Sequence, residues 1–164
     1  MQVVVMGVAG CGKSTIGKKL AAALGSGFID GDDLHPDSNI KKMASGIPLD
    51  DSDRKPWLIR VGKEFSTNPS LVIACSALKR SYRDVIREYA PNVIFLHLTG
   101  SKSLLMDRIS QRDSHYMKPE MLDSQLAILE NLQKGEIGKA FDISESPEDI
   151  VKNFKDYCAK SNHR

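Results

Sequence analysis

Short continuous apolar runs alternate along the chain with longer segments whose apolar positions recur at helical spacing. Val3–Val8 is the first run, continuous rather than alternating, as expected of a strand buried on both faces. Lys13–Leu24 follows as a helix, with Ile16, Leu20, Ala23 and Leu24 on one side and Gly25 and Gly27 ending it. Phe28–Ile29 is a short second strand, placed beside the first, and leads into an acidic loop. Asn39–Met43 and Asp51–Phe65 read as helices separated by Pro48. Leu71–Cys75 is a third buried strand, Lys79–Tyr89 a basic amphipathic helix and Val93–Leu98 a fourth strand. Lys102–Arg112 and Pro119–Leu132 are helices around a polar connection; Ala140–Ile143 is a fifth strand and Glu148–Ala159 a last helix. Five strands in alternation with helices predict an α/β fold: a three-layer α/β/α sandwich around a mainly parallel sheet, with right-handed crossovers. No linker or repeat divides residues 1–164, so one domain is expected.

Composition changes this picture little. Of 164 residues, 23 are basic and 21 acidic, a net charge of +2 that carries no footprint for a nucleic acid polymer. The three cysteines form no CxxC pair, against a disulfide framework or a zinc site. No basic segment precedes the first apolar run and no stretch reaches the length of a membrane span. The expectation is a cytoplasmic protein without membrane contact.

The chemistry starts at Gly7-Val8-Ala9-Gly10-Cys11-Gly12-Lys13-Ser14-Thr15, which matches G-x-x-x-x-G-K-[ST] between a strand and a helix. Glycines let the backbone curl so that its N–H groups face phosphate oxygens, and the helix behind aims its positive end at the same charge. Gly7, Gly10, Cys11, Gly12, Lys13, Ser14 and Thr15 are therefore expected to hold the phosphates of a nucleotide. Lys13 would meet the transferring phosphate and the Ser14 hydroxyl would ligate Mg²⁺. No Asn-Lys-x-Asp guanine reader and no Leu-Ser-Gly-Gly-Gln signature occurs. The third strand ends in Cys75-Ser76, where many P-loop ATPases carry an acidic residue, so the carboxylates must come from Asp30-Gly31-Asp32. A kinase needs one carboxylate for Mg²⁺ and another to take the proton of the attacking hydroxyl; Asp30 is assigned the first role and Asp32 the second. Arg54, Lys79 and Arg83 suit an anionic acceptor and His35 its hydroxyls, with a solvated surface charge as the competing reading for each basic group. Arg108 and Arg112, four apart on a helix before a polar segment, have the form of a lid that neutralises charge on the moving phosphoryl group.

These residues together resemble the gluconate kinases (gluconokinases), small-molecule kinases with a P-loop fold. The resemblance runs through Gly7–Thr15, Asp30–Pro36, Asn39-Ile40, Lys42-Met43, Gly46–Leu49, Asp53–Leu58, Ala74–Arg80, Tyr82–Asp84, Arg108, Arg112, His115, Met117, Ser124-Gln125 and Leu129-Glu130. It implies a P-loop kinase fold with a helical lid at roughly 108–130. It also implies ATP- and Mg²⁺-dependent phosphorylation of D-gluconate at its 6-hydroxyl, His115 among the acceptor-side residues, and a cytosolic homodimer. Asn131–Glu136 and Phe141–Ser144 depart from the family's pattern, near the expected nucleotide-base edge. Two other readings of the same residues are a kinase for another small hydroxy acid such as shikimate, and a nucleotide-binding regulator without phosphotransfer.

Overall fold

A computed structural model describes residues 1–111 and 119–161. Its elements are β1 (Gln2–Met6), α1 (Lys13–Leu24), β2 (Gly27–Asp30), α2 (Asp37–Ala44), α3 (Asp51–Ser66), β3 (Leu71–Ala74), α4 (Arg80–Tyr89), β4 (Ile94–Thr99), α5 (Lys102–Ser110), α6 (Pro119–Ile128), β5 (Gly138–Asp142) and α7 (Pro147–Ser161). All strand pairs are parallel and the sheet order is β2-β3-β1-β4-β5. α1 packs with α7, and α3 with α4, which gives the expected three layers.

The continuous apolar runs take the middle of the sheet. Val3, Val4, Val5 and Met6 of β1 and Phe95, Leu96 and Leu98 of β4 have no exposed surface. One expectation is corrected here: β2 does not lie beside β1. Every residue of β3 is buried, whereas β2 is only partly so, and burial puts the more apolar strand inside, against β1, and β2 at the edge. The carboxyl ends still align, because Asp30 pairs in register with Ala74 and Ala74 with Val5.

Helix boundaries follow local chemistry where it is strong. α3 opens on a capping box in which the Asp50 side chain accepts from the Asp53 N–H and the Asp53 side chain accepts from the Asp50 N–H. α1 closes on Gly25 in the left-handed conformation, φ 65°. α6 ends at Ile128, short of the expected Leu132. The Glu130 N–H donates to the Leu78 carbonyl at 2.7 Å, and the Glu130 carboxylate accepts the Arg80 N–H at 2.9 Å. Long-range hydrogen bonds to the start of α4 thus outcompete another helical turn. Among the described residues no helix is long and apolar enough to cross a membrane.

Candidate active site

The 7–15 loop leaves β1 at the carboxyl end of the sheet and enters α1 through Gly12, which is left-handed at φ 88°. A side chain there would be strained, and the backbone needs that φ to turn into the helix. Lys13 donates to the Val8 carbonyl at 3.1 Å, so the ammonium lies over the loop. The Ser14 hydroxyl donates to Asp30 Oδ2 at 2.9 Å, and Asp30 Oδ1 accepts the Asp32 N–H at 3.0 Å. One carboxylate thereby joins the phosphate loop to the acidic turn and sets the start of that turn. Gly31 sits between the two aspartates because a Cβ there would lie 2.3 Å from the Ala74 carbonyl oxygen. The turn is held from below by Trp57, 1 % exposed, whose Nε1–H donates to the Gly31 carbonyl at 2.7 Å.

His35 stacks on Trp57 with ring centroids 4.0 Å apart and 16° between planes. The Asn39 amide nitrogen lies 3.1 Å from His35 Nδ1 and also donates to the Asp53 carbonyl at 2.8 Å. An amide nitrogen only donates, so Nδ1 accepts and the proton sits on Nε2. Burial, and then the Arg54 charge, push the imidazole down to about 4, so it is neutral and a donor at pH 7. Arg54, 9 % exposed, donates to the Tyr82 hydroxyl at 3.1 Å, and that hydroxyl donates to Asp51. Burial and the Asp51 carboxylate raise the Tyr82 phenol to about 12. Lys79 reaches Asp51 at 3.4 Å at the mouth of the same region.

A single cleft is lined by Gly12, Lys13, Ser14, Asp30, Asp32, His35, Arg54 and Trp57. A second opens on the other side of the phosphate loop, between Gly10, Cys11, Gly12, Thr15, Arg108, Ile143, Pro147 and Ile150. There Arg108 donates to the Ile143 carbonyl at 3.0 Å. Most of the residues singled out in the sequence thus line one or other of two clefts that share Gly10 and Gly12. Lys79 lines neither; it sits with Asp51 and Tyr82 in a separate depression that shares Arg54 with the first cleft. Arg83 does not line them either. It is fully buried and its guanidinium is taken up by Glu136, the Ala77 carbonyl and the Asn131 carbonyl. Arg112 and His115 lie outside the described residues.

Several lining residues carried no role in the sequence reading. Met43, Pro48 and Leu49 form an apolar wall, and Ser76, Ser124 and Gln125 complete the first cleft. The Gln125 side-chain oxygen accepts the Ala9 N–H at 2.7 Å, so α6 touches the phosphate loop. Their signal lies in the Lys42-Met43, Gly46–Leu49, Ala74–Arg80 and Ser124-Gln125 segments, where none of these residue types announces its chemistry. The pairing of one hydroxyl with one carboxylate at 2.9 Å fits Mg²⁺, which keeps most of its shell for water and phosphate oxygens. Among the described residues there is no cluster of three or more His, Cys, Asp or Glu that would make a self-sufficient metal cage.

Known proteins are similar to this chain in both fold and sequence. Residues 9–149 match the shikimate kinase family. A probable gluconokinase of Dictyostelium discoideum is 46% identical, over 94% of this chain and 84% of its own. Crystal structures agree: an unliganded sugar kinase of Janibacter sp. HTCC2649 superposes with a TM-score of 0.89 at 44% identity, covering 93% of this chain and 90% of that one. A gluconokinase of Sinorhizobium meliloti 1021 gives 0.85 at 45% identity, over 92% and 87%. With the phosphate loop, the acidic turn and the sheet order already accounted for, the chain belongs to the gluconokinase family of P-loop kinases.

Proposed function

We propose that this chain is an ATP:D-gluconate 6-phosphotransferase, converting D-gluconate and ATP to 6-phospho-D-gluconate and ADP. The observation that carries the reading is Asp30, whose two oxygens join Ser14 of the phosphate loop to the backbone of Asp32. A metal-ordering carboxylate and a proton-accepting carboxylate then lie on one turn, between a phosphate site and a cleft with cationic and donor groups. The gluconokinase relatives support the choice of acceptor.

In this reading the N–H groups of the 7–15 loop, with Lys13, hold the β- and γ-phosphates. Ser14 and Asp30 would hold Mg²⁺, which supplies charge neutralisation at those phosphates. Arg54 and Lys79 attract the gluconate carboxylate, while the His35 Nε2–H donates to a hydroxyl oxygen and helps fix the chain of the acid. Asp32 accepts the proton of the 6-hydroxyl as its oxygen bonds to the γ-phosphorus and the bond to the ADP oxygen breaks. Arg108, with Arg112, balances charge on the nucleotide side as the lid at roughly 108–130 closes and excludes water, and His115 joins the acceptor side. The apolar Ile143, Pro147 and Ile150 beside Arg108 suit the flat face of a purine. The family resemblance further supports a single-domain homodimer working in the cytoplasm.

The test is ADP release by the purified chain with ATP and Mg²⁺, with and without gluconate. Gluconate-dependent release, with a product phosphorylated at the 6-hydroxyl by ³¹P NMR, is expected. Acceptor-independent release, or none, would instead fit a nucleotide-binding regulator.

A further inference from the structure

Between β3 and α4 the chain makes a turn in which three successive carbonyls are each held by a different element. The Ser76 carbonyl accepts the Gly7 N–H of the phosphate loop at 3.3 Å. The Ala77 carbonyl accepts from Arg83 Nη1 of α4 at 2.9 Å. The Leu78 carbonyl accepts from the Glu130 N–H, in the segment that follows α6, at 2.7 Å. Ser76 and Leu78 line the acceptor cleft. Ala77 is the only non-glycine with positive φ among the described residues, at 43°, a conformation that disfavours any side chain. Such strain persists only where the surroundings hold it, and it gathers at functional sites.

The holder is unusually well built. The Arg83 and Glu136 side chains have no exposed surface and meet as a fork, Nε to Oε1 at 2.7 Å and Nη2 to Oε2 at 2.9 Å. Glu136 also accepts from Arg87 at 2.9 Å and from the Gln133 N–H at 2.8 Å. Burial alone would raise the Glu136 carboxyl; the hydrogen bonds from Arg83, Gln133 and Arg87 override it and hold the group down at about 2. The pair is therefore ionised, its two-point fork fixes the plane of the guanidinium, and Arg83 has one guanidinium nitrogen left to hold the Ala77 carbonyl.

We propose that Arg83, clamped by Glu136, is a positioning residue for phosphoryl transfer: it holds Ala77 in its left-handed conformation and so sets the 76–78 wall of the acceptor cleft against the phosphate loop. The same clamp ties that wall to the segment leaving α6, because Arg83 Nη2 also donates to the Asn131 carbonyl at 3.3 Å. The inference rests on the gluconate reading for the identity of the acceptor, while its geometry concerns this chain alone.

The experiment compares Arg83→Lys and Glu136→Gln, each with and without Ala77→Gly, by steady-state kinetics and thermal unfolding of the purified chain. Arg83→Lys keeps the charge and loses the fork; Glu136→Gln keeps the shape and loses the ion pair. Either should raise KM for gluconate on the order of tenfold while KM for ATP stays within about twofold, because the damage is confined to the acceptor wall. Adding Ala77→Gly should recover at least half of the logarithmic loss, since glycine adopts positive φ without a holder. An unchanged KM for gluconate with only a lower melting temperature would overturn the proposal, as would misfolding of both single variants; the pair would then serve the core alone. A raised KM that Ala77→Gly does not recover would also overturn it, because the loss would then not run through the conformation of Ala77. Wild-type turnover of gluconate, measured alongside, tests the functional reading separately. If a different sugar acid is the acceptor, the same variants are compared on that acid.

Discussion

Replacing Asp30 and Asp32 by asparagine, one at a time, should separate two functions that a single turn carries. In Asp30→Asn the Asp32 N–H still needs an oxygen acceptor, so the amide oxygen is held at the Oδ1 position. The amide NH₂ then faces Ser14, 2.9 Å away, where a carboxylate oxygen had accepted. Ser14 must turn its hydroxyl and accept instead, which takes one of its two lone pairs and removes a negative charge beside the metal position. Exchanging a charge-assisted hydrogen bond for a neutral one costs about 1–2 kcal/mol, or roughly five- to thirty-fold in the Mg²⁺ concentration for half-maximal rate. The turn itself should survive, because the Trp57 bond to the Gly31 carbonyl is untouched. Asp32→Asn keeps size and polarity but removes basicity, so kcat should fall by about 10²–10⁴-fold with little change in ATP affinity. A loose transition state, in which positioning matters more than proton removal, would put the loss near the lower end. The assay is steady-state kinetics with Mg²⁺ and gluconate each varied in turn. If Asp32→Asn shifts mainly the Mg²⁺ requirement and Asp30→Asn mainly kcat, the roles are reversed. If neither variant is impaired, the acidic turn is not the catalytic centre.

Three further outcomes are expected. Lys13→Ala should fold normally, as followed by circular dichroism, yet lose about 2–4 kcal/mol of transition-state stabilisation, read as kcat/KM; a near-normal rate would contradict the phosphate-site assignment. Trp57→Phe strands the buried Gly31 carbonyl, which should lower stability by about 1–3 kcal/mol in urea unfolding and raise KM for gluconate, since His35 stacks on that ring. Stability should also depend on pH through His35 and His97, both lowered to about 4, in each case first by burial and then by an arginine, Arg54 and Arg83 respectively. A folded-state value below the unfolded 6.5 means that the unfolded chain takes up the proton first, so stability is complete above about pH 6.5 and falls as pH drops towards 4. Urea melts at pH 7 and pH 5 should differ by up to about 2 kcal/mol for each histidine, and His97→Leu should remove its share.

What could be read from the sequence was what is local. The phosphate loop is a contiguous string whose glycines and lysine have a direct physical use, and Asp30-Gly31-Asp32 sits at a strand end, where a parallel sheet presents its ligands. Sheet order was harder. Hydrophobicity marks β3 as buried, but nothing local says that it inserts between β1 and β2. Arg83 shows the limit most clearly. Counting four residues from Lys79 puts the two on one helical face, yet Lys79 caps α4 from outside the helix, and Glu136, 53 residues further on, claims the Arg83 guanidinium. A long-range ion pair leaves no periodic trace. The same holds for Glu130, which ends α6 by bonding to the start of α4, and for Gln125, whose contact with Ala9 depends on how α6 folds back.

Acceptor choice is decided by kcat/KM for gluconate and for shikimate under identical ATP and Mg²⁺ in a coupled ADP assay. A cleft whose Arg54 and His35, with Lys79 in the adjoining depression, are matched to a linear hydroxylated acid predicts gluconate ahead by at least about 10²-fold, because an ill-fitting acid leaves buried polar groups unpaired. Shikimate turned over as fast as gluconate, or faster, would contradict it.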